Sequence, residues 1–170
     1  MRTYVVTGSA SGIGKATAEL LVERGEKVIG VDLRDADITV DLTTPDGRDR
    51  LVTEVTQLSG GTVDGVLAVA GLAIPAPATV GVNYFGMVAS LEGLRPLLAH
   101  SDAPRAVGVS SMASLQPSDE RLIELELAGD EQAALARAAE LVAAPDTANL
   151  IYSSTKVGFS RWIRRNAATA

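Results

Sequence analysis

Cysteine is absent from this 170-residue chain. That excludes disulfides and thiolate metal sites, and it fits a reducing compartment. Basic charge is in deficit too: 15 Lys and Arg against 21 Asp and Glu leave a net charge of −6, with the basic residues scattered. A nucleic-acid partner, which needs a clustered basic surface, is not expected. No apolar stretch approaches the ~20 residues that span a bilayer, so no membrane partner is expected. Met1 to Val6 leads straight into a glycine turn, so no signal peptide is expected. Internal repeats, linkers and low-complexity tracts are also missing. What is present, 46% hydrophobic and 21% charged residues, is the composition of an ordinary globular protein with enough material for one core. The expectation is a single soluble, cytoplasmic domain over residues 1–170.

The chain is organised around Thr7-Gly8-Ser9-Ala10-Ser11-Gly12-Ile13-Gly14. A short apolar run, Tyr4-Val5-Val6, precedes it, and a helical pattern with Ile13, Thr17, Leu20 and Leu21 on one face follows. Gly8 suits a tight turn, Gly12 lets backbone approach a ligand, and Gly14 lets the helix pack closely on the sheet. The helix N-terminus then offers free N–H groups and a positive dipole to a pyrophosphate. Such turns also join strand to helix for structural reasons alone, so the remaining residues decide.

Further strands are expected at residues 27–33, 36–40, 66–69 and 106–109, ending at Asp32, Asp41, Ala70-Gly71 and Ser110-Ser111. Between them, Thr44 and Pro45 open a helix with Leu51, Val52, Val55 and Leu58 on its apolar face. A long helix is expected over residues 80–98, with Pro96 disturbing its last turn. This alternation predicts an α/β fold: a doubly wound parallel sheet, Rossmann-like, of strand order 3-2-1-4-5 and C-terminally incomplete. Ligands of such sheets bind outside the carboxyl ends of the strands. Residues 115–149 break the rhythm with two amphipathic helices separated by Gly129-Asp130. They read as an insertion that forms an oligomer contact or a wall beside the site. The final helix starts near Tyr152, runs to the terminus and carries Arg161, Arg164 and Arg165 on its solvent side.

Asp32 lies eighteen residues beyond Gly14. A carboxylate there accepts hydrogen bonds from both hydroxyls of an adenosine ribose and repels a 2′-phosphate, favouring NAD over NADP. Otherwise it is a strand-end aspartate capping a turn. Tyr152 and Lys156 are four apart at a helix start and share a face. A tyrosine is a poor base near neutrality, and a neighbouring ammonium stabilises its phenolate. Ser111 offers a hydroxyl to a substrate oxygen. Asn83 is an awkward residue for a helix interior, which suggests a polar task such as holding a water; the alternative is solvent exposure.

Thr7-Gly8-x-x-x-Gly12-x-Gly14, Asp32, Asp41-Leu42, Ala70-Gly71, Val82-Asn83-x-x-Gly86, Ser110-Ser111 and Tyr152-x-x-x-Lys156 together resemble the short-chain dehydrogenase/reductase family. They look most like its bacterial 3α-hydroxysteroid dehydrogenase/carbonyl reductase branch. The resemblance implies an NAD-dependent oxidoreductase moving a hydride between cofactor and a secondary alcohol or ketone, hydroxysteroids and other bulky carbonyls included. Tyr152 would be general acid or base, Lys156 would lower its pKa and bind the nicotinamide ribose, Ser111 would polarise the carbonyl, and Asn83 would hold a relay water. Gly8, Ser11, Gly12, Ile13, Gly14, Asp32, Asp41, Leu42, Ala70 and Gly71 would bind cofactor, with Asp41 and Leu42 at the adenine. Val69 departs from the asparagine common in relatives, which removes one strand-stabilising hydrogen bond. The resemblance also implies that the chain is the N-terminal two-thirds of an enzyme that is a homo-oligomer when full length. The competing expectations are a non-catalytic NAD-binding or scaffolding protein on this fold, or a fragment that binds NAD without turnover.

Overall fold

The computed structural model describes residues 1–144 and 146–167. In chain order its first elements are β1 (Thr3–Thr7), α1 (Gly12–Glu23), β2 (Lys27–Asp32), β3 (Ile38–Thr39), α2 (Pro45–Ser59) and β4 (Gly65–Ala68). There follow α3 (Pro77–Val80), a π-helical segment (Gly81–Gly86), α4 (Met87–Leu98), β5 (Arg105–Gly108), a 3-10 turn (Met112–Leu115), α5 (Glu120–Ala128), α6 (Glu131–Ala143) and α7 (Leu150–Asn166). They fall into two compact units, residues 1–70 with 87–109, and residues 71–86 with those from 110 onward. Among the described residues no helix is long and apolar enough to cross a membrane.

The first unit is a five-stranded parallel sheet in the expected order, β3-β2-β1-β4-β5. Val5 pairs with Ile29 on one side and Val66 on the other, and all three are buried. Strands covered on both faces read as unbroken apolar runs, as these do. The β1–α1–β2 and β4–α4–β5 crossovers run toward opposite edges, so right-handedness puts α1 on one face and α2 with α4 on the other. That is the doubly wound arrangement.

Local chemistry corrects several boundaries. β3 shrinks to two residues because residues 35–37 are drawn into a turn. Asp35 takes φ +51°, and the Asp37 carboxylate accepts the Gly30 N–H at 2.7 Å. β5 lies one residue earlier than expected. The long helix divides into α3, the π segment and α4, and α4 continues through Pro96 to Leu98. On α1 the expected apolar face is wrong: Ile13 and Leu20 are 65% and 46% exposed, and Gly14 is the buried residue. Gly14, Thr17, Ala18 and Leu21 form the inward stripe instead. On α6 the buried stripe is Ala134, Ala138 and Leu141, while Val142 is exposed.

In the second unit α5 packs on α6 and α7. Asp119 organises the start of this insertion. Its Oδ1 caps α5 by accepting the Leu122 N–H at 2.8 Å, and its carboxylate pairs with the Arg137 guanidinium of α6 at 2.7 Å. Its own N–H donates to Ser154 Oγ of α7 at 2.8 Å, beside Ser153, whose hydroxyl donates to the Pro117 carbonyl. Arg161 turns to Glu120 rather than standing free on the solvent side. The expectation that the final helix runs to the terminus falls, for residues 168–170, outside the described residues. Along α7, Phe159 is buried and stacks on Trp162, with ring centroids 6.1 Å apart.

Asp119→Ala is expected to cost about 1–2 kcal/mol at neutral pH, the range for losing a helix N-cap, measured by urea unfolding. The Arg137 hydrogen bond holds the Asp119 carboxyl below its usual range. Its contribution is therefore present above the ordinary carboxylate pKa and is lost as pH falls through the depressed value. The gap between variant and wild type should close in acid.

Candidate functional site

In the first unit the turn after β1 is built around backbone that side chains would obstruct. Gly8 takes φ +73°, and a Cβ on it would stand 3.0 Å from the Ala70 backbone. Gly12 takes φ +52°, and a Cβ there would meet nothing within 4 Å, so the turn is open at that point. A Cβ on Gly14 would lie 2.1 Å from the Gly8 carbonyl oxygen, so only glycine lets α1 start this close to the turn. Ser11 makes no side-chain cap among the described residues, and the first turn of α1 holds no acidic residue. The N–H groups and dipole of that 12-residue helix are thus left for an anion, and a dinucleotide pyrophosphate fits.

Thr7 completes this half, although composition and spacing single out only the glycines after it. Buried, its Oγ1 accepts the N–H groups of both Val69 and Ala70, each at 3.0 Å. The Asp32 carboxylate is aimed back at the turn: Oδ2 accepts the Ala10 N–H at 2.9 Å and Oδ1 the Leu33 N–H at 2.7 Å. Each oxygen keeps a second lone pair for a hydroxyl donor. Asp41 folds onto Thr43, accepting from its N–H at 2.9 Å and its hydroxyl at 2.7 Å. Leu42 is buried, so it can offer a ligand its backbone but not its side chain. Ile13 is exposed at the mouth of the turn.

The second unit holds Gly71, Asn83, Ser111, Tyr152 and Lys156. Asn83 is fully buried, which removes the expectation of solvent exposure. Its amide clamps one residue: Oδ1 accepts the Leu72 N–H at 2.7 Å, and Nδ2 donates to the Leu72 carbonyl at 2.8 Å. Nδ2 also reaches Thr155 Oγ1 at 3.3 Å, and that hydroxyl donates to the Tyr152 carbonyl at 2.7 Å. A hydrogen-bonded chain thus runs from Leu72 through Asn83 and Thr155 to Tyr152. The π-helical geometry around Asn83, a feature common at functional sites, has no signal in the hydropathy pattern.

Ser111 caps the 3-10 turn, its Oγ accepting the Ala113 N–H at 3.1 Å. The turn packs on α7. Tyr152 and Lys156 share one face of α7, with Nζ 5.6 Å from the centroid of the phenol ring. Lys156 is buried, and that burial pulls its pKa below the ordinary lysine value. A poised ammonium beside a phenol, with a hydroxyl held on a neighbouring turn, is equipment for moving a proton to or from an oxygen.

Known proteins are similar to this chain. A family model described as "short chain dehydrogenase" matches residues 2–122. The 3-alpha-hydroxysteroid dehydrogenase/carbonyl reductase of Comamonas testosteroni is 34% identical over 175 residues, which cover 99% of this chain and 66% of that protein. A coniferyl-alcohol dehydrogenase of Pseudomonas sp. (strain HR199 / DSM 7063) is 37% identical over 96 residues, covering 51% of this chain and 35% of that one. Among solved structures, the 3-alpha-hydroxysteroid dehydrogenase from Pseudomonas sp. B-0831, complexed with NADH, superposes with a TM-score of 0.91 at 40% identity. That match covers 98% of this chain and 66% of that one. The chain thus spans about two-thirds of the length of the Comamonas and B-0831 relatives. On its fold, its glycine turn and these matches, the chain belongs to the short-chain dehydrogenase family.

Proposed function

We propose that the chain carries the cofactor-binding and proton-transfer parts of an NAD(H)-dependent oxidoreductase that interconverts secondary alcohols and ketones. The observation that carries this is the Lys156 ammonium lying over the Tyr152 ring, one helical turn away on α7. NAD(H), when bound, supplies or takes the hydride. In reduction the Tyr152 hydroxyl gives its proton to the carbonyl oxygen, and in oxidation its phenolate takes the proton of the alcohol. The charge of Lys156 stabilises that phenolate. Ser111 receives the Ala113 N–H on its oxygen, which leaves its own O–H to donate to the substrate oxygen. Asn83 fixes Leu72 and, through Thr155, the turn bearing Tyr152. A second lone pair of its Oδ1 remains for a relay water.

Met112 and Leu115 flank Ser111 on the 3-10 turn and are 84% and 87% exposed. Two large apolar side chains beside the carbonyl-holding hydroxyl suit a bulky apolar ketone such as a ring system of steroid size. The hydroxysteroid dehydrogenase names of the relatives support that class. An NADH-linked assay over apolar ketones of increasing size tests the proposal. Rates that fall as the ring system grows, or no turnover with any of them, would count against it.

The cofactor preference has its own measurement. Asp32 would face the 2′-phosphate of NADP. Two like charges at ~4–6 Å cost roughly 3–4 kcal/mol at an effective dielectric near 20, or about 10²–10³-fold before salt screening. Calorimetric titration should show NAD binding tighter by up to that factor, and Asp32→Ser should narrow the gap. Equal or tighter binding of NADP to the wild type would overturn the role given to Asp32.

A further inference from the structure

α5, which packs on α6 and α7, buries side chains that are apolar except at one position. Leu122, Ile123 and Leu125 are buried there, and Glu126 is buried with them at 0% exposure. Neither carboxyl oxygen has a hydrogen-bond partner among the described residues. The group lies against Gly158: a Cβ there would stand 2.0 Å from Glu126 Oε2 and 3.5 Å from Tyr84 Cδ2. The missing side chain at position 158 is what makes room for the carboxyl group, two residues beyond Lys156 on the same helix.

Among the described residues the surroundings offer it no hydrogen-bonded counter-charge. From the π segment Tyr84 faces it, a buried phenol pushed up first by burial and then by Glu126, with Arg165 pulling the other way. On α7, Arg161 is engaged with Glu120 and Lys156 lies over Tyr152. From α6, Arg137 is turned to Asp119 and Glu140. A carboxylate placed here would lose its hydration without compensation. Burial alone pushes Glu126 well above the ordinary carboxylate range.

We propose that Glu126 is a protonated latch: as a carboxylic acid it lets α5 dock on α7, and the docked state weakens as pH rises because undocking releases its proton. A group that binds its proton more tightly in the docked state makes that state less favourable with rising pH, from the ordinary carboxylate pKa up to the raised one. Asp119 works in the opposite direction, and its effect is confined to acid. From the ordinary carboxylate range up to its raised value, Glu126 therefore sets the slope. Because α7 carries Tyr152 and Lys156, the latch also sets an alkaline limit on catalysis. That extension rests on the proposed oxidoreductase function, whereas the docking equilibrium does not.

Hydrogen exchange of the α5 amides in the whole chain, corrected for intrinsic rates and followed from about pH 5 to 8, tests it. As pH rises from the ordinary carboxylate range, the opening constant of the wild type should climb with a limiting slope of about tenfold per pH unit, as expected for release of one proton. Glu126→Gln should abolish that slope, and Glu126→Met, which keeps the volume without the charge, should be flat and more protected throughout. If Glu126→Gln does not fold, the methionine variant alone decides. A flat wild type, or the same slope in either variant, would overturn the latch. A tenfold slope in a chain without turnover at any pH would leave the latch standing and count against the oxidoreductase reading alone.

Discussion

Replacing Tyr152 by phenylalanine is expected to lower turnover by roughly 10²–10⁴-fold, the usual contribution of a general acid–base group, while NAD affinity stays within a fewfold of wild type. The substitution deletes the hydroxyl that exchanges a proton with the substrate oxygen. It keeps the ring over which Lys156 lies and leaves the Tyr152 carbonyl to accept from Thr155. Alcohol oxidation followed by NADH absorbance, paired with a calorimetric NAD titration, separates the two quantities. Turnover near the wild-type rate would remove Tyr152 from the mechanism. Lost turnover with equally lost NAD affinity would point to a misplaced helix.

Gly14→Ala should be among the most damaging single-methyl changes in the first unit. The new Cβ would meet backbone on every near side: the Gly8 carbonyl oxygen at 2.1 Å, the Gly8 carbonyl carbon at 2.6 Å and the Thr7 carbonyl oxygen at 3.1 Å. None of these can swing aside as a side-chain end would. Either α1 lifts from the sheet or the β1–α1 turn deforms. Overpacking of this kind costs about 1–3 kcal/mol, or roughly 3–10 °C in a domain of this size. NAD affinity should fall at least about tenfold, since the N–H groups that would hold the pyrophosphate move with the turn. Gly60→Ala is the control. Its φ of +70° carries a conformational penalty, but nothing lies within 4 Å of the new methyl, so a loss of about 1 kcal/mol without an NAD effect is expected. Equal damage from the two substitutions would show that close approach at Gly14 is not what the turn requires.

Most of the sheet was legible because each strand is a short apolar run closed by a polar or glycine residue at its carboxyl end. Residues 36–40 misled because Asp37 spends its side chain on the Gly30 N–H, and an apolar pattern carries no mark of that. On α1 the hydropathy is ambiguous all round: Ile13, Leu20 and Leu21 are equally apolar, and the inward face is chosen by where Gly14 permits contact. Asn83, Ser111, Tyr152 and Lys156 stand out as candidates from residue type and order. Their partners could not. Asn83 bonds Leu72 across eleven residues, and Thr155 bonds it across seventy-two. Glu126 left a readable trace, since it falls in helical register with Leu122. Its pairing with the bare backbone of Gly158 left none, because no local pattern joins α5 to that point of α7.

The Phe159–Trp162 stack gives α7 a property of its own. Trp162 is the chain's one tryptophan, and it sits on the helix that carries Tyr152 and Lys156. Light emitted from its indole therefore originates in that helix alone. Phe159 travels with it on the same helix, so any event that moves α7, whether cofactor entry, substrate binding or release of the α5 face, is read through what surrounds the ring pair and how far water reaches the indole. It should register as a change in emission intensity or wavelength without an added label.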